Sequence, residues 1–200
     1  MRTLLIDVST LVMYVGLAKD DMLTDHSMRI AKRDHAKYMV DRIEQIIKRN
    51  RLTLADIDQI VVGVGPGSYT GIRIAVMVAK MLGYTKNIPV FTVSSLYFMT
   101  SGYQGKIAAL IDARRGYVFA NIHENGTILL EDTYVLQDTL KHNHAYKKTK
   151  TIFIDERHFE VSPESIFKHM RKVENIHDLV PNYLRKTEAE NHHDQASQNR

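Results

Sequence analysis

The chain has 200 residues, 44% of them hydrophobic, enough for one substantial domain or two small ones sharing a face. It has no cysteine, which excludes a disulfide framework, a thiolate zinc site and a cysteine nucleophile, so a metal would need histidines and carboxylates. Lys and Arg number 27 against 23 Asp and Glu, a formal +4 scattered along the chain, too weak to argue nucleic-acid binding by itself.

The opening MRTLLIDVST is not read as a signal sequence, because Asp7 interrupts the apolar run and no small-residue cleavage site follows. No apolar run approaches the span of a bilayer, so no membrane partner is expected and the location expected is cytoplasmic. Leu4 to Val8 reads as a strand, Ser9 and Thr10 as a turn, Val12 to Leu17 as a second strand, and Met22 to Arg29 as a third after Asp20-Asp21. From Asp34, a candidate N-cap, Ala36, Met39, Val40, Ile43, Ile46 and Ile47 have the spacing of one helical face ending near Asn50. Ile57 to Val64 suits a buried strand, Ser68 to Tyr84 a second helix, and Pro89 to Val93 a short strand.

A new start appears at Lys106: strands Ile107 to Asp112 and Tyr117 to His123, a hairpin turn at Asn125-Gly126, and a returning strand Thr127 to Leu136. A polar segment, Gln137 to Lys150, leads to a strand Thr151 to Ile154. A helix then opens at Ser162 with Pro163 first, its apolar face formed by Ile166, Phe167, Met170 and Val173. Two successive meanders, each followed by alternating helix and strand, predict a duplicated α/β architecture: residues 1–104, a shorter 105–185, and a polar disordered tail 186–200.

Residues 63–73, GVGPGSYTGIR, tempt a nucleotide reading, but Gly71 is followed by Ile72 and Arg73 rather than the Lys and hydroxyl of a P-loop. The dinucleotide fingerprint fails by register, since its third glycine would fall on Thr70 or Ser68. Gly65, Pro66, Gly67, Ser68 and Gly71 are instead expected to form a sharp structural turn with a capped helix. That helix is apolar nearly all round. Ile72, Ala75, Val76, Ala79 and Leu82 make one face and Ile74, Met77, Val78 and Met81 another, so the second must meet a helix, a domain or another protein.

Leu4-Leu5-Ile6-Asp7, Arg33-Asp34-His35, Gly65 to Arg73, Val93-Ser94-Ser95-Leu96, Ile111-Asp112-Ala113-Arg114 and Pro181-Asn182-Tyr183-Leu184-Arg185 occur in the order found in the TsaB (YeaZ) family, which the chain resembles over nearly its whole ordered length. The resemblance implies two half-domains of the actin-like (sugar kinase, Hsp70 and actin) fold, each a mixed sheet with flanking helices. It also implies a non-catalytic subunit for threonylcarbamoyladenosine formation in tRNA, a catalytic TsaD-type paralogue, a TsaE-type ATPase, a homodimer when alone, and tRNA contact through the complex. The metal of TsaD-type proteins is held by two histidines four residues apart. Here Met39 follows His35 at that spacing, so no metal is expected and His35 is read as a surface residue of the first helix.

The partner surface expected from the two helices comprises His35, Tyr38, Met39, Arg42, Arg73, Ile74, Met77, Val78 and Met81. A vestigial nucleotide site is the second expectation, formed by Asp7, Ser9 and Thr10 of one hairpin turn and Asp112 and Arg114 of the other. Arg114 and Arg115 stand where close phosphate approach favours glycine, so no catalytic residue and no cofactor are assigned to this chain, with ATP or ADP left to the complex. The alternative is a stand-alone ATP-dependent phosphotransferase or ATPase of the same fold. A peptidase reading finds no HExxH motif. The basic loop 141–150, with Lys141, Lys147, Lys148 and Lys150, reads as a solvated surface rather than a tRNA contact.

Overall fold

The computed structural model describes residues 1–30 and 34–184. Six strands make the first sheet. β1 (Arg2–Asp7), β2 (Val12–Lys19) and β3 (Met22–Ile30) form an antiparallel meander, and β4 (Gln59–Gly63) and β5 (Val90–Val93) add in parallel on the other side of β1. α1 (His35–Arg49) and α2 (Tyr69–Lys86) are the crossovers that parallel pairing requires.

The second sheet repeats the pattern with β6 (Lys106–Asp112), β7 (Tyr117–Glu124) and β8 (Thr127–Leu136) as the meander and β9 (Lys150–Phe153) parallel to β6. Asn125 and Gly126 join β7 to β8 with φ of 47° and 91°, the left-handed pair that a two-residue hairpin of matching twist needs. The architecture is therefore α/β, with two mixed sheets flanked by helices, as the order of elements predicts. Among the described residues no helix is long and apolar enough to cross a membrane.

β1 is buried on both faces, which is why it reads as an unbroken apolar run. Leu4 and Ile6 pack with Met39, Ile43, Ile46, Ala75 and Ala79 under α1 and α2. Leu5 faces the other way, into a core shared with Phe98, Ile107, Ala109 and Ile152. That second core contains α3 (Ser95–Thr100), all six of whose residues are buried. The spacing rules above missed α3 because an element with no exposed face has no amphipathic period.

Several expectations need correction. Asp34 occupies the N-cap position of α1 without capping it: its carboxylate takes both terminal nitrogens of Arg29 at 2.6 Å. Ala36 and Val40 lie outside the apolar face of α1 and are exposed. The polar segment after β8 contains a short helix, α4 (Gln137–Lys141), whose Leu140 covers the outer face of the second sheet. α5 (Pro163–His169) stops short of Val173, because Arg171–Lys172 form β10 and pair with β5 on the first sheet. Arg33, Arg185 and the tail 186–200 lie outside the described residues.

Candidate functional site

Three places carry the predicted residues or polar chemistry. The first is the outer side of α2. Ile72, Ala75, Val76, Ala79 and Leu82 are buried against the sheet and α1, as the spacing predicts. The chain's own C-terminal segment covers a further strip. Lys80 Nζ donates to the carbonyls of His177 and Leu179 at 2.7 and 3.3 Å, Arg73 Nε donates to the Tyr183 hydroxyl at 2.7 Å, and Tyr183 stacks on Tyr69 with centroids 4.6 Å apart. What stays open is narrow. Met77 is 67% exposed and Met81 43%, with Tyr84 at 66% one turn on, a stripe at helical spacing. Val40 is 51% exposed on α1, which packs beside α2.

This divides the predicted partner surface. Arg73, Met77 and Met81 are exposed, and Tyr38, Arg42 and Ile74 are half-buried. Met39 at 0% and Val78 at 9% belong to the core, because α1 turns Met39 toward β1 and α2 turns Val78 into the same cluster. His35 is likewise buried, at 8% exposure, rather than on the surface. Tyr38 is engaged within the chain, since the Arg29 guanidinium lies 4.0 Å from its ring centroid.

The second place is the glycine segment, which docks on the β1–β2 turn. The Ser68 amide donates to the Ser9 carbonyl at 2.6 Å, and the Ser68 hydroxyl accepts from the Gly71 amide to cap α2. A Cβ at Gly67 would overlap the Ser9 carbonyl, and one at Gly71 the Val8 carbonyl, so the two backbones touch only because both residues are glycine. Gly65 and Pro66 are buried in the same turn, where Ser95 Oγ accepts from the Gly65 amide at 2.9 Å.

Asp7 is fully buried beneath this contact. Its Oδ1 accepts from the Ser9 amide at 2.8 Å and the Ser9 hydroxyl at 2.6 Å. Burial pushes its carboxyl above the ordinary range, against hydrogen bonds from Ser9 and Ser95 that pull it down. Thr10 Oγ1 accepts from the Val12 amide. The Ser9 donors at this turn are thus spent inside the chain. The second turn differs: Asp112 and Arg114 are exposed, Asp112 Oδ1 accepts from the Arg114 amide at 2.9 Å, and Arg114, Arg115 and Gly116 have φ of 68°, 56° and 77°. Among the described residues no three His, Asp or Glu side chains are grouped so that they could hold a metal.

The third place was not foreseen. A cavity of about 310 Å³ opens between the sheets, lined by Val64, Thr92, Val93 and Ser94 on one side and Asn121, Ile128, Glu131 and Asp132 on the other, with Tyr97, His169, Arg171 and Asn182 at its margin. Asp132 Oδ1 accepts from the Ser94 hydroxyl at 2.7 Å and from Asn121 Nδ2 at 3.0 Å. Burial lifts the Asp132 carboxyl from its ordinary 3.8 to about 6. Nearby His123, bonded to Thr100 at 3.0 Å, is pushed by burial down to about 4. The signal in the sequence was an amide at Asn121 among the inward positions of β7; pairing irregularities at Ala120 to His123 obscured which β8 residues face it.

With this geometry in place, the similarities are specific. A family model described as "TsaD: tRNA N6-adenosine threonylcarbamoyltransferase" matches residues 28–142, more than half of the chain. The chain is 27% identical to the tRNA threonylcarbamoyladenosine biosynthesis protein TsaB of Bacillus subtilis (strain 168), covering 95% of this chain and 96% of that protein. It is 33% identical to the protein of the same name from Escherichia coli (strain K12) over 60% of this chain, which spans 53% of that protein. Among solved structures, YeaZ from Pseudomonas aeruginosa superposes with a TM-score of 0.60 at 27% identity, over 68% of this chain and 66% of that one.

Two outcomes are expected. Gly71→Ala forces the Val8 carbonyl away from α2 and should cost about 1–3 kcal/mol in urea unfolding; an unchanged midpoint would mean that the docking is loose. Asp132 binds its proton more tightly folded than unfolded, so its contribution turns unfavourable as pH rises from about 4 to about 6 and is constant above. Asp132→Asn should therefore gain stability on wild type across that window, by at most about 1.4 kcal/mol per pH unit. His123 titrates across an overlapping window with the opposite sense, and the difference between the two proteins cancels it.

Proposed function

The chain belongs to the TsaD family, on its TsaB (YeaZ) branch, and from that membership we propose that it is a non-catalytic subunit that binds and supports a TsaD-type partner in forming threonylcarbamoyladenosine in tRNA. The observation that carries the reading is the exposed stripe of Met77, Met81 and Tyr84 on α2 beside Val40 on α1. Solvent-facing apolar side chains on two packed helices, with Arg73 one turn before Met77, have the composition of an interface centre and rim. Arg73 is held by Tyr69 and Tyr183, so part of that rim is already ordered before a partner arrives.

A paralogue built on the same half-domain offers equivalent helices, so one surface serves either a homodimer or the heterodimer, and the two assemblies compete. A TsaE-type ATPase and tRNA join at the level of the complex, in the cytoplasm, and ATP or ADP acts there rather than in this chain. The closed first hairpin turn supports that assignment over a stand-alone ATPase, because the Ser9 amide and hydroxyl that would face a phosphate are both directed at Asp7.

Met77→Asp should leave circular dichroism and the melting curve nearly unchanged while weakening capture of a TsaD-type protein about tenfold or more. Val78→Asp should instead destabilise the chain itself by about 3–5 kcal/mol, since an uncompensated charge would enter the core. Full association by a folded Met77→Asp chain removes α2 from the interface. Lys147 and Lys148 are exposed, and replacing both by Ala should leave the activity of the assembled complex and the salt dependence of its tRNA affinity nearly unchanged. A salt slope shallower by about one to two units would reassign that loop to tRNA.

A further inference from the structure

We infer that the cleft between the two sheets is a binding site for a small organic molecule carrying a primary ammonium group, which Asp132 and Asn121 receive. None of Asp7, Ser9, Thr10, Asp112 or Arg114 lines this cleft, so it is distinct from the two hairpin turns. It is also independent of the partner role assigned to α2.

The argument rests on unspent acceptors. Both donors that reach Asp132 meet the same oxygen, Oδ1, which leaves Oδ2 for a ligand. Asn121 is only 1% exposed, and the bond from its Nδ2 to Asp132 fixes the orientation of the amide, because the flipped form would set an oxygen against a carboxylate. Its Oδ1 is then a buried acceptor without a partner. A buried polar atom left in that condition in a cleft-lining side chain points to a missing donor.

Charge selects the kind of donor. Glu131 and Asp132 stand on β8, and Arg171 and His169 are the basic groups of the same cleft. Burial holds His169 below its ordinary pKa, so it favours the neutral form and the lining carries one net negative charge at neutral pH. Two free acceptors and a surplus negative charge complement a group with several N–H donors and a positive charge. The cavity, about 310 Å³ with Val64, Val93 and Ile128 in its wall, holds a short aliphatic chain behind that group. The carboxyl at about 6 fits the same picture, as a poorly solvated anion that a bound cation would relieve.

The test is calorimetric titration of the isolated chain with 1,4-diaminobutane, with 1,4-butanediol as the neutral isostere. Saturable binding with a Kd of about 1 mM or tighter is expected for the diamine and none for the diol. Affinity should fall toward about tenfold per pH unit below the Asp132 pKa, and Asp132→Asn should weaken it at least about tenfold at pH 7. Glu131→Gln, at an exposed position, should weaken it about two- to threefold. The side-chain amide resonances of Asn121 should shift on titration, a readout that needs no variant. No saturation up to about 20 mM diamine, equal binding of the diol, or unchanged affinity in folded Asp132→Asn would each overturn the assignment.

Discussion

The start of α2 rests directly on the carbonyls of Val8 and Ser9, with no side chain between, and the rest of the molecule is arranged around that contact. Gly67 and Gly71 allow it, and the Ser68 amide bonded to Ser9 fixes its register. Because the approach is backbone to backbone, it constrains the tilt of the helix, and Ala75, Val76, Ala79 and Leu82 are committed to the core over the sheet. Asp7 is sealed below, with the Ser9 donors turned inward onto its Oδ1 while its Oδ2 is buried without a hydrogen-bond partner. A carboxylate in that position costs less when hydrogen-bonded than bare, so the seal and the turn support each other.

The same contact decides what covers α2 on its far side. Val64, just beyond β4, presents its carbonyl to the Asn182 amide at 2.7 Å, and the C-terminal segment is drawn across the glycine loop. Leu179 enters the core, Lys80 caps the carbonyls of His177 and Leu179, and β10 completes the first sheet beside β5. A helix that is apolar all round is therefore satisfied on three sides by its own chain. The remainder, Met77, Met81 and Tyr84, is an exposed apolar stripe.

Between the sheets the logic is reversed. α3 fills most of the space with Leu96, Phe98 and Met99, and the polar groups that remain, Asn121, His123 and Asp132, are the ones whose protonation burial shifts or whose bonds are incomplete. Polar residues facing a core are expensive unless a partner completes them. Asn121, with an unpartnered buried oxygen, thus lies in the cleft, and the exposed stripe of Met77, Met81 and Tyr84 lies on α2, two separate places in one fold.

The two three-stranded meanders, the Asn125-Gly126 hairpin and the capped start of α2 were legible in the residues, because period, turn chemistry and capping are local properties that a few neighbours settle. The glycine segment likewise announced its turn. Which side of a helix meets solvent was not legible. Met77 and Val78 are adjacent and equally apolar, and only the positions of β1, α1 and the returning segment made one exposed and the other core. His35 and Met39 were drawn inward for the same reason. The cleft was invisible too, since Ser94, Asn121 and Asp132 are far apart in sequence and meet only when the two sheets close on α3. Sequence determined the two meanders and the long helices α1 and α2, but not α3, α4 or β10; tertiary packing, which alone brings distant residues within bonding distance, decided which side chains were left without partners.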